Sequence, residues 1–308
     1  MNNILLYYYD LNPLELVFRD ERYYFEYLDR KYIFEAYNRP LIELETIYEV
    51  NKKMIENNIL VHEIVKNKEN NILTFINGIN YCLMEVFVNE KTNINLPDIC
   101  YVNNNSVYIN NVDILNRTDW INLWGMKNDY FEEQINEIGK RYNWLSKYIN
   151  YYIGMAENAI SYMQNISNVK EEVLYSICSK RINYKSSLIE LYNPLNYIYD
   201  YRVRDASEYI KSSFFYGVDA MKLVEEYFEN NYLNYKEALI FYARLLYPSY
   251  FFDLYDDILN KKMPESNIND IVQKSCEYEE FLRKVYYYLT NLYKRYIPYV
   301  DWIIKRSF

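Results

Sequence analysis

Five glycines in 308 residues, where average usage would place about 22, rule out the folds that hold phosphate in a glycine-rich turn. Such a turn needs glycine to reach positive φ and to let backbone amides approach an anion closely. No GxGxxG and no GxxxxGK(S/T) run occurs in the chain. A single histidine, His62, narrows the chemistry further. It would be the only base for a Ser/His/Asp or Cys/His arrangement and the only imidazole for a zinc site.

A composition of 51% hydrophobic and 25% charged residues describes a globular chain with a sizeable core, long enough for about two domains. The 34 basic residues against 43 acidic ones give a net charge of −9, which opposes attraction to nucleic acid or an anionic membrane, so no nucleic-acid partner is expected. Cys82, Cys100, Cys178 and Cys276 form no CxxC pair and read as reduced, mostly buried thiols of a reducing cytosol. Residues 1–15 lack a basic flank, and no apolar run approaches the roughly 18 residues of a membrane span, so cytosolic synthesis without a span is expected. Tyrosine reaches 40 while phenylalanine stays at 14. AT-rich codons favour both alike, so the excess points to the hydroxyl: a large ring with a polar end suits half-buried positions and contact surfaces, and it is open to oxidative cross-linking.

The hydrophobic period changes once along the chain. Residues 14–18, 23–28, 31–37, 72–76 and 81–88 are short runs rich in β-branched and aromatic residues and predict strands. Between them, residues 41–57 place Leu44, Ile47, Tyr48 and Ile55 at helical spacing. After the loop containing Pro97 and the asparagines at 103–105, helical patterns take over: Leu239, Tyr242, Leu245 and Leu246 share a face, as do Leu282, Val285, Leu289 and Leu292. No fixed-period repeat and no Pro- or Ser-rich linker appears. The expected organisation is α+β: a strand-rich N-terminal lobe over residues 1–92 with an antiparallel sheet and one helix, then a larger helical lobe over 93–308.

This order of elements is shared by many α+β proteins, so local motifs decide. The segment PLNYIYDYRVRDASEYI, residues 194–210, resembles the region of antibiotic and choline kinases in which one Asp ends a hydrophobic strand and binds metal and a second Asp opens a helix; Asp200 and Asp205 take those places. Together with YYIGMAENAISYM (151–163) and LIFYARLLYPSYFFDLYDDI (239–258), it is similar to the YutH-type endospore coat-associated proteins, a kinase-like group related to the CotS coat proteins. The resemblance implies a two-lobed protein-kinase-like or aminoglycoside-phosphotransferase-like fold, synthesis in the mother-cell cytosol, deposition on the spore coat, and other coat proteins as partners.

Phosphoryl transfer needs a cation on the third strand, an acid on the following helix to orient it, a catalytic Asp, and Asn and Asp side chains for metal. Aligned with that strand, residues 31–37 put Glu35 where the lysine belongs, a like-charge neighbour for Glu43 or Glu45 that would repel a triphosphate. Lys31, four residues earlier on the same face, restores a cation only in a shifted alignment. The turn of Arg19, Asp20, Glu21 and Arg22 reads as a charged hairpin. Where a catalytic loop belongs, about 20 residues before Asp200 as the resemblance places it, no Asp or Glu occurs between Glu172 and Glu190. Asn183 lacks the acidic neighbour that would make it a metal ligand. Asp200 is left as a weak, vestigial metal site, since one carboxylate holds Mg²⁺ poorly without substrate phosphates.

The bland readings of the other candidates are preferred: His62 as a core or surface histidine, Asp205 as the N-cap of a helix beginning at Ala206, Arg202 and Arg204 as partners of local acids, and Asp253, Asp256 and Asp257 as a solvated helix face. The reading that results is a catalytically degenerate kinase-like protein without assigned catalytic residues or cofactor, acting by contact as a coat component or assembly factor. Its rivals are an active small-molecule phosphotransferase using Asp200 for Mg-ATP, and a helical interaction protein unrelated to kinases.

Overall fold

In a computed structural model, residues 1–88, 92–110, 112–138 and 141–305 are described, position 138 by its backbone alone. The chain begins with α1 (Asn2–Tyr9), β1 (Val17–Arg19), β2 (Arg22–Tyr27), β3 (Arg30–Ala36) and α2 (Leu44–Glu56). Then follow β4 (Glu63–Val65), β5 (Leu73–Ile76), β6 (Ile79–Val86), α3 (Leu96–Asn105), α4 (Trp120–Ile138), α5 (Asn143–Ile166) and β7 (Tyr175–Ser179). The remainder is α6 (Leu188–Leu191), β8 (Tyr197–Tyr201), α7 (Arg204–Phe215), α8 (Ala220–Asn230), α9 (Tyr235–Leu246), α10 (Ser249–Leu259), α11 (Ile268–Gln273), α12 (Ser275–Tyr293) and α13 (Asp301–Ile304). Contacts divide these into two units, Met1–Asn116 with Ser176–Asp200, and Arg117–Tyr175 with Tyr201–Phe308.

The first unit is built on an antiparallel sheet in the order β1-β2-β3-β6-β4, with β5 pairing the start of β6. Period-2 alternation sorts its side chains: Phe25, Phe34 and Leu83 point to one face, where Leu5 of α1 covers them. Arg22, Tyr24, Ile33, Glu35, Cys82 and Met84 occupy the other face, as the register pairs Tyr24 with Ile33 and Ile33 with Met84. All five expected strands exist, joined by β4, a short strand directly after His62. Two of the hairpins use two-residue turns without glycine: Asp20 and Glu21 at φ 48° and 60°, Leu28 and Asp29 at φ 49° and 62°. These are the positive-φ turns that match strand twist, and only Gly78 in the β5–β6 turn supplies a glycine. In α2 the buried positions are Ile47, Val50, Asn51 and Met54, so the inward stripe is rotated from the one the hydrophobic residues suggested.

The second unit is helical. In α9 every residue from Glu237 to Leu246 is buried, which makes it the central helix rather than an amphipathic one. It packs against α5, α7 and α12. Pro248 separates α9 from α10, whose buried residues Phe251, Phe252, Tyr255 and Ile258 leave the acids on the other side. On α12, Leu282, Val285 and Leu289 are fully buried, whereas Leu292 near the helix end is 48% exposed.

Candidate functional site

The strand register decides what Glu35 does. Two-residue turns fix β2 against β3 so that Arg22 lies directly opposite Glu35, both on the face away from α1. Arg22 grips the carboxylate with two nitrogens, Nε at 3.0 Å from Oε2 and Nη2 at 3.1 Å from Oε1. Asn193, itself fully buried, donates to Oε2 at 2.8 Å. Burial works against the Arg22 charge, and Glu35 together with Tyr24 more than offsets it, holding the guanidinium above its ordinary range. The expected like-charge contact with Glu43 or Glu45 is replaced by separate pairings. Glu43 accepts from Arg39 Nε at 2.7 Å, and Glu45 is exposed. Arg39 also donates to the carbonyls of Leu195 and Tyr197 at 3.0 and 2.6 Å, tying the start of α2 to β8.

Beside this row the same face opens into a cleft of about 1100 Å³, walled by Val17, Tyr24, Ile33, Val86, Val88 and Ile189. Arg19 lies over the Tyr24 ring at 4.4 Å. Lys31 also lines the cleft, but four residues of strand put it about 13 Å from Glu35, and it pairs with Glu26 at 3.8 Å. It therefore does not stand in for a cation at position 35. The β1–β2 turn closes on its two residues and offers no cradle of amides.

Residues 179–187 form a loop tied to its neighbours, with the Lys180 amide donating to the Asn196 carbonyl at 2.7 Å and the Ile94 amide to the Ser186 carbonyl at 3.0 Å. Asn183 Oδ1 accepts from the Lys185 amide at 2.8 Å and the Ser186 amide returns to the Asn183 carbonyl, so Asn183 is an exposed turn residue. Glu190, the first acid after that stretch, is committed to a capping box: its carboxylate accepts from the Ser187 amide at 2.9 Å. Asp200 lies on β8 and is 1% exposed. Among the described residues no group of three or more His, Cys, Asp or Glu is arranged to hold a metal ion. A carboxylate already bound by two partners at position 35 is a poor fit for nucleotide phosphates at that place.

The other candidates resolve as structure. His62 is fully buried with its ring edge-on to Tyr192, and among the described residues neither ring nitrogen has a hydrogen-bond partner. Burial pushes it down to about 4; the nearby Ile189 backbone opposes this weakly, without the geometry of a hydrogen bond. Asp205 is not the N-cap: α7 starts one residue before it, after Val203, and the buried Asp205 carboxylate accepts from Arg204 at 2.8 Å. Arg202 binds Glu237 bidentately at 2.7 and 2.8 Å, an acid 35 residues away rather than a local one. Asp253 and Asp257 reach Lys127 and Lys262 only at 4.0 Å, as a solvated face would. The four cysteines are free, with Cys82 and Cys178 buried and Cys276 exposed.

Two polar assemblies were not foreseen. In the first unit, Asn51 of α2 spans the His62 carbonyl at 2.7 Å and the Ile64 amide at 3.0 Å. In the second, Glu208 of α7 holds Lys211 at 2.9 Å, Ser249 at 2.7 Å and Arg244. Glu208 and Lys211 are three apart on a helix, a spacing visible in the sequence; Arg244 and Ser249 are brought to them only by packing. The Arg22–Glu35 pair was not readable: strands expected over 23–28 and 31–37 leave 29–30 as the turn, whereas it falls at 28–29 and shifts the register. Nor was Asn193.

Several solved structures with this fold are described as phosphotransferases or kinases. An aminoglycoside phosphotransferase from Alicyclobacillus acidocaldarius matches with a TM-score of 0.69 at 11% identity, over 92% of this chain and 94% of that one. A spectinomycin phosphotransferase in complex with ADP and spectinomycin matches with a TM-score of 0.56 at 10% identity, over 92% of each chain. The choline kinase LicA of Streptococcus pneumoniae gives 0.52 at 11% identity, over 88% of this chain and 95% of that one. At such identities the likeness establishes the fold: an antiparallel sheet with a larger helical part, as in aminoglycoside phosphotransferases. In sequence, the chain is 25% identical over 212 residues to the endospore coat-associated protein YutH of Bacillus subtilis. That alignment covers 61% of this chain and 62% of the relative, a little under two thirds of its length. The family described as "Spore coat putative kinase YutH" matches residues 2–285, and the chain belongs to it.

Proposed function

We propose that this protein is a catalytically degenerate kinase-like scaffold that acts through protein contacts, as a spore coat component or an assembly factor for the coat. The same reading has it made in the mother cell and deposited on the forespore surface. The observation that carries it is the Arg22–Glu35–Asn193 lock: the strand position that would anchor nucleotide phosphate holds an anion already bound by two partners. The absence of any acid between Glu172 and Glu190 supports it, since no side chain of that loop can accept a substrate proton as a carboxylate.

A rival reading has one specific observation in its favour. Arg22 places a cation one strand away from Glu35, so an active phosphotransferase would draw its phosphate anchor from β2 and its metal ligand from Asp200. Thermal unfolding with and without Mg-ATP separates the two, because a ligand that binds the native state raises its stability. The scaffold reading expects no shift and no ATP consumption. A raised melting temperature with steady turnover, lost in both Arg22→Met and Asp200→Ala, would replace it with the rival. For the coat role, a fluorescent fusion expressed in sporulating cells is expected to decorate the forespore; a fusion that stays dispersed in the mother cell rejects it.

A further inference from the structure

Ten of the 40 tyrosines are exposed, and three of them converge on one place in the second unit. Tyr287 lies on α12, and Tyr296 and Tyr299 lie on the segment after it, at 50%, 72% and 41% exposure. They surround Tyr286, a half-buried residue whose ring is 5.3 Å from that of Tyr287. Burial raises the Tyr286 phenol first, the Thr290 hydroxyl opposes this, and the phenols of Tyr296, Tyr287 and Tyr299 all lie close enough to raise it further. Below them Tyr162 and Tyr242 are buried, their rings 5.5 Å apart, and among the described residues neither hydroxyl has a hydrogen-bond partner.

We propose that the cluster Tyr286, Tyr287, Tyr296 and Tyr299 is a site of oxidative tyrosine coupling, through which this chain becomes covalently joined to a second copy of itself. The inference stands on the arrangement of the phenols and is independent of whether the Glu35 site has lost its nucleotide. Losing an electron makes a phenol strongly acidic, so oxidation needs a proton acceptor beside it. The exposed phenols have water for that purpose. Tyr162 and Tyr242 have no acceptor, which confines the radical to the surface and spares the core. Of the surrounding cations, Arg295 is matched by Glu171 and Lys305 by Asp301, while Lys294, between Tyr287 and Tyr296, is exposed. The patch therefore carries no excess of negative charge on a chain of net charge −9 and repels a second copy less than an acidic surface would.

The step balances with hydrogen peroxide as oxidant and a haem peroxidase as its catalyst. Each of two phenols gives up one electron and its hydroxyl proton. The two phenoxyl radicals join through ring carbons ortho to oxygen, and the hydrogens displaced from those carbons return to the oxygens. Peroxide takes up the two electrons and two protons and leaves as two waters.

The test uses the full chain with horseradish peroxidase and hydrogen peroxide, read by dityrosine fluorescence, covalent dimer on denaturing gels, and mass spectrometry of cross-linked peptides. Tyr287→Phe/Tyr296→Phe/Tyr299→Phe is expected to lose most of the dimer. The control Tyr7→Phe/Tyr108→Phe/Tyr216→Phe is expected to keep it, although those residues are 67%, 85% and 49% exposed. Exposure alone would rank the control set as the more reactive, so equal or greater loss in the control overturns the proposal. Peptide mapping of the unmodified chain guards against misfolding of a variant: links concentrated at 286–299 support the cluster, and links spread according to exposure, or confined within single chains, refute it.

Discussion

At position 35 a single side chain changes what its strand can do. Glu35 is only 17% exposed and its carboxylate is bound by Arg22 and Asn193, so removing one partner leaves the others uncompensated. Glu35→Ala is expected to cost about 2–3 kcal/mol, read as a lower urea midpoint, whereas the apolar pair Arg22→Met/Glu35→Leu recovers most of that loss because no charge is left unpaired. If the double variant is as unstable as the single one, the pair is not coupled. Alternation along the strand shows which face Glu35 occupies, but strands read as 23–28 and 31–37 would put Tyr24 opposite it; only the turn at Leu28 and Asp29 brings Arg22 there. Asn193 is 158 positions away, and no local pattern announces a partner at that distance.

Elements were legible in proportion to how far their own periodicity explains their burial. Five strands of the first sheet alternate cleanly and match the expected runs within a few residues, while the short β4 was not among those expected. The α2 stripe was misread by part of a turn, because Asn51 faces inward to satisfy the backbone of His62 and Ile64, a role hydrophobicity does not register. The α9 pattern suggested one apolar face, yet the helix is enclosed on all sides and even Glu237 and Arg244 are buried against partners. Around it, Glu208 joins α7 to α9 through Arg244 and to the start of α10 through Ser249, while also holding Lys211. Burial pushes Lys211 down to about 8 against the pull of Glu208. Glu208→Leu leaves two buried cations facing each other and is expected to cost about 3–5 kcal/mol, more than Lys211→Met, in which Arg244 still compensates the carboxylate. The reverse order of melting temperatures would show that Glu208 is not the hub.

On the scale of the whole molecule, stability responds to pH through groups that fold at a cost to their charged form. His62 titrates near 6.5 when unfolded and about 4 when folded, so between those values the unfolded chain binds the extra proton. Stability contributed by the neutral ring is complete above pH 6.5 and falls as pH drops toward 4, by about 3 kcal/mol in all. His62→Leu should flatten that part of the urea midpoint against pH. An unchanged slope would mean the ring is hydrated. By itself the sequence determined the sheet, the helical remainder, the missing glycine turns and the missing loop acid, because these depend on side-chain type and on periods of two and 3.6 residues. Tertiary structure alone decided which charges meet. It placed residues 176–200 in one unit with residues 1–116, gave Glu35 and Glu43 an arginine each, and gathered Tyr296 and Tyr299 around Tyr286. Those outcomes depend on segments far apart in the chain being packed together, and no local pattern carries that information.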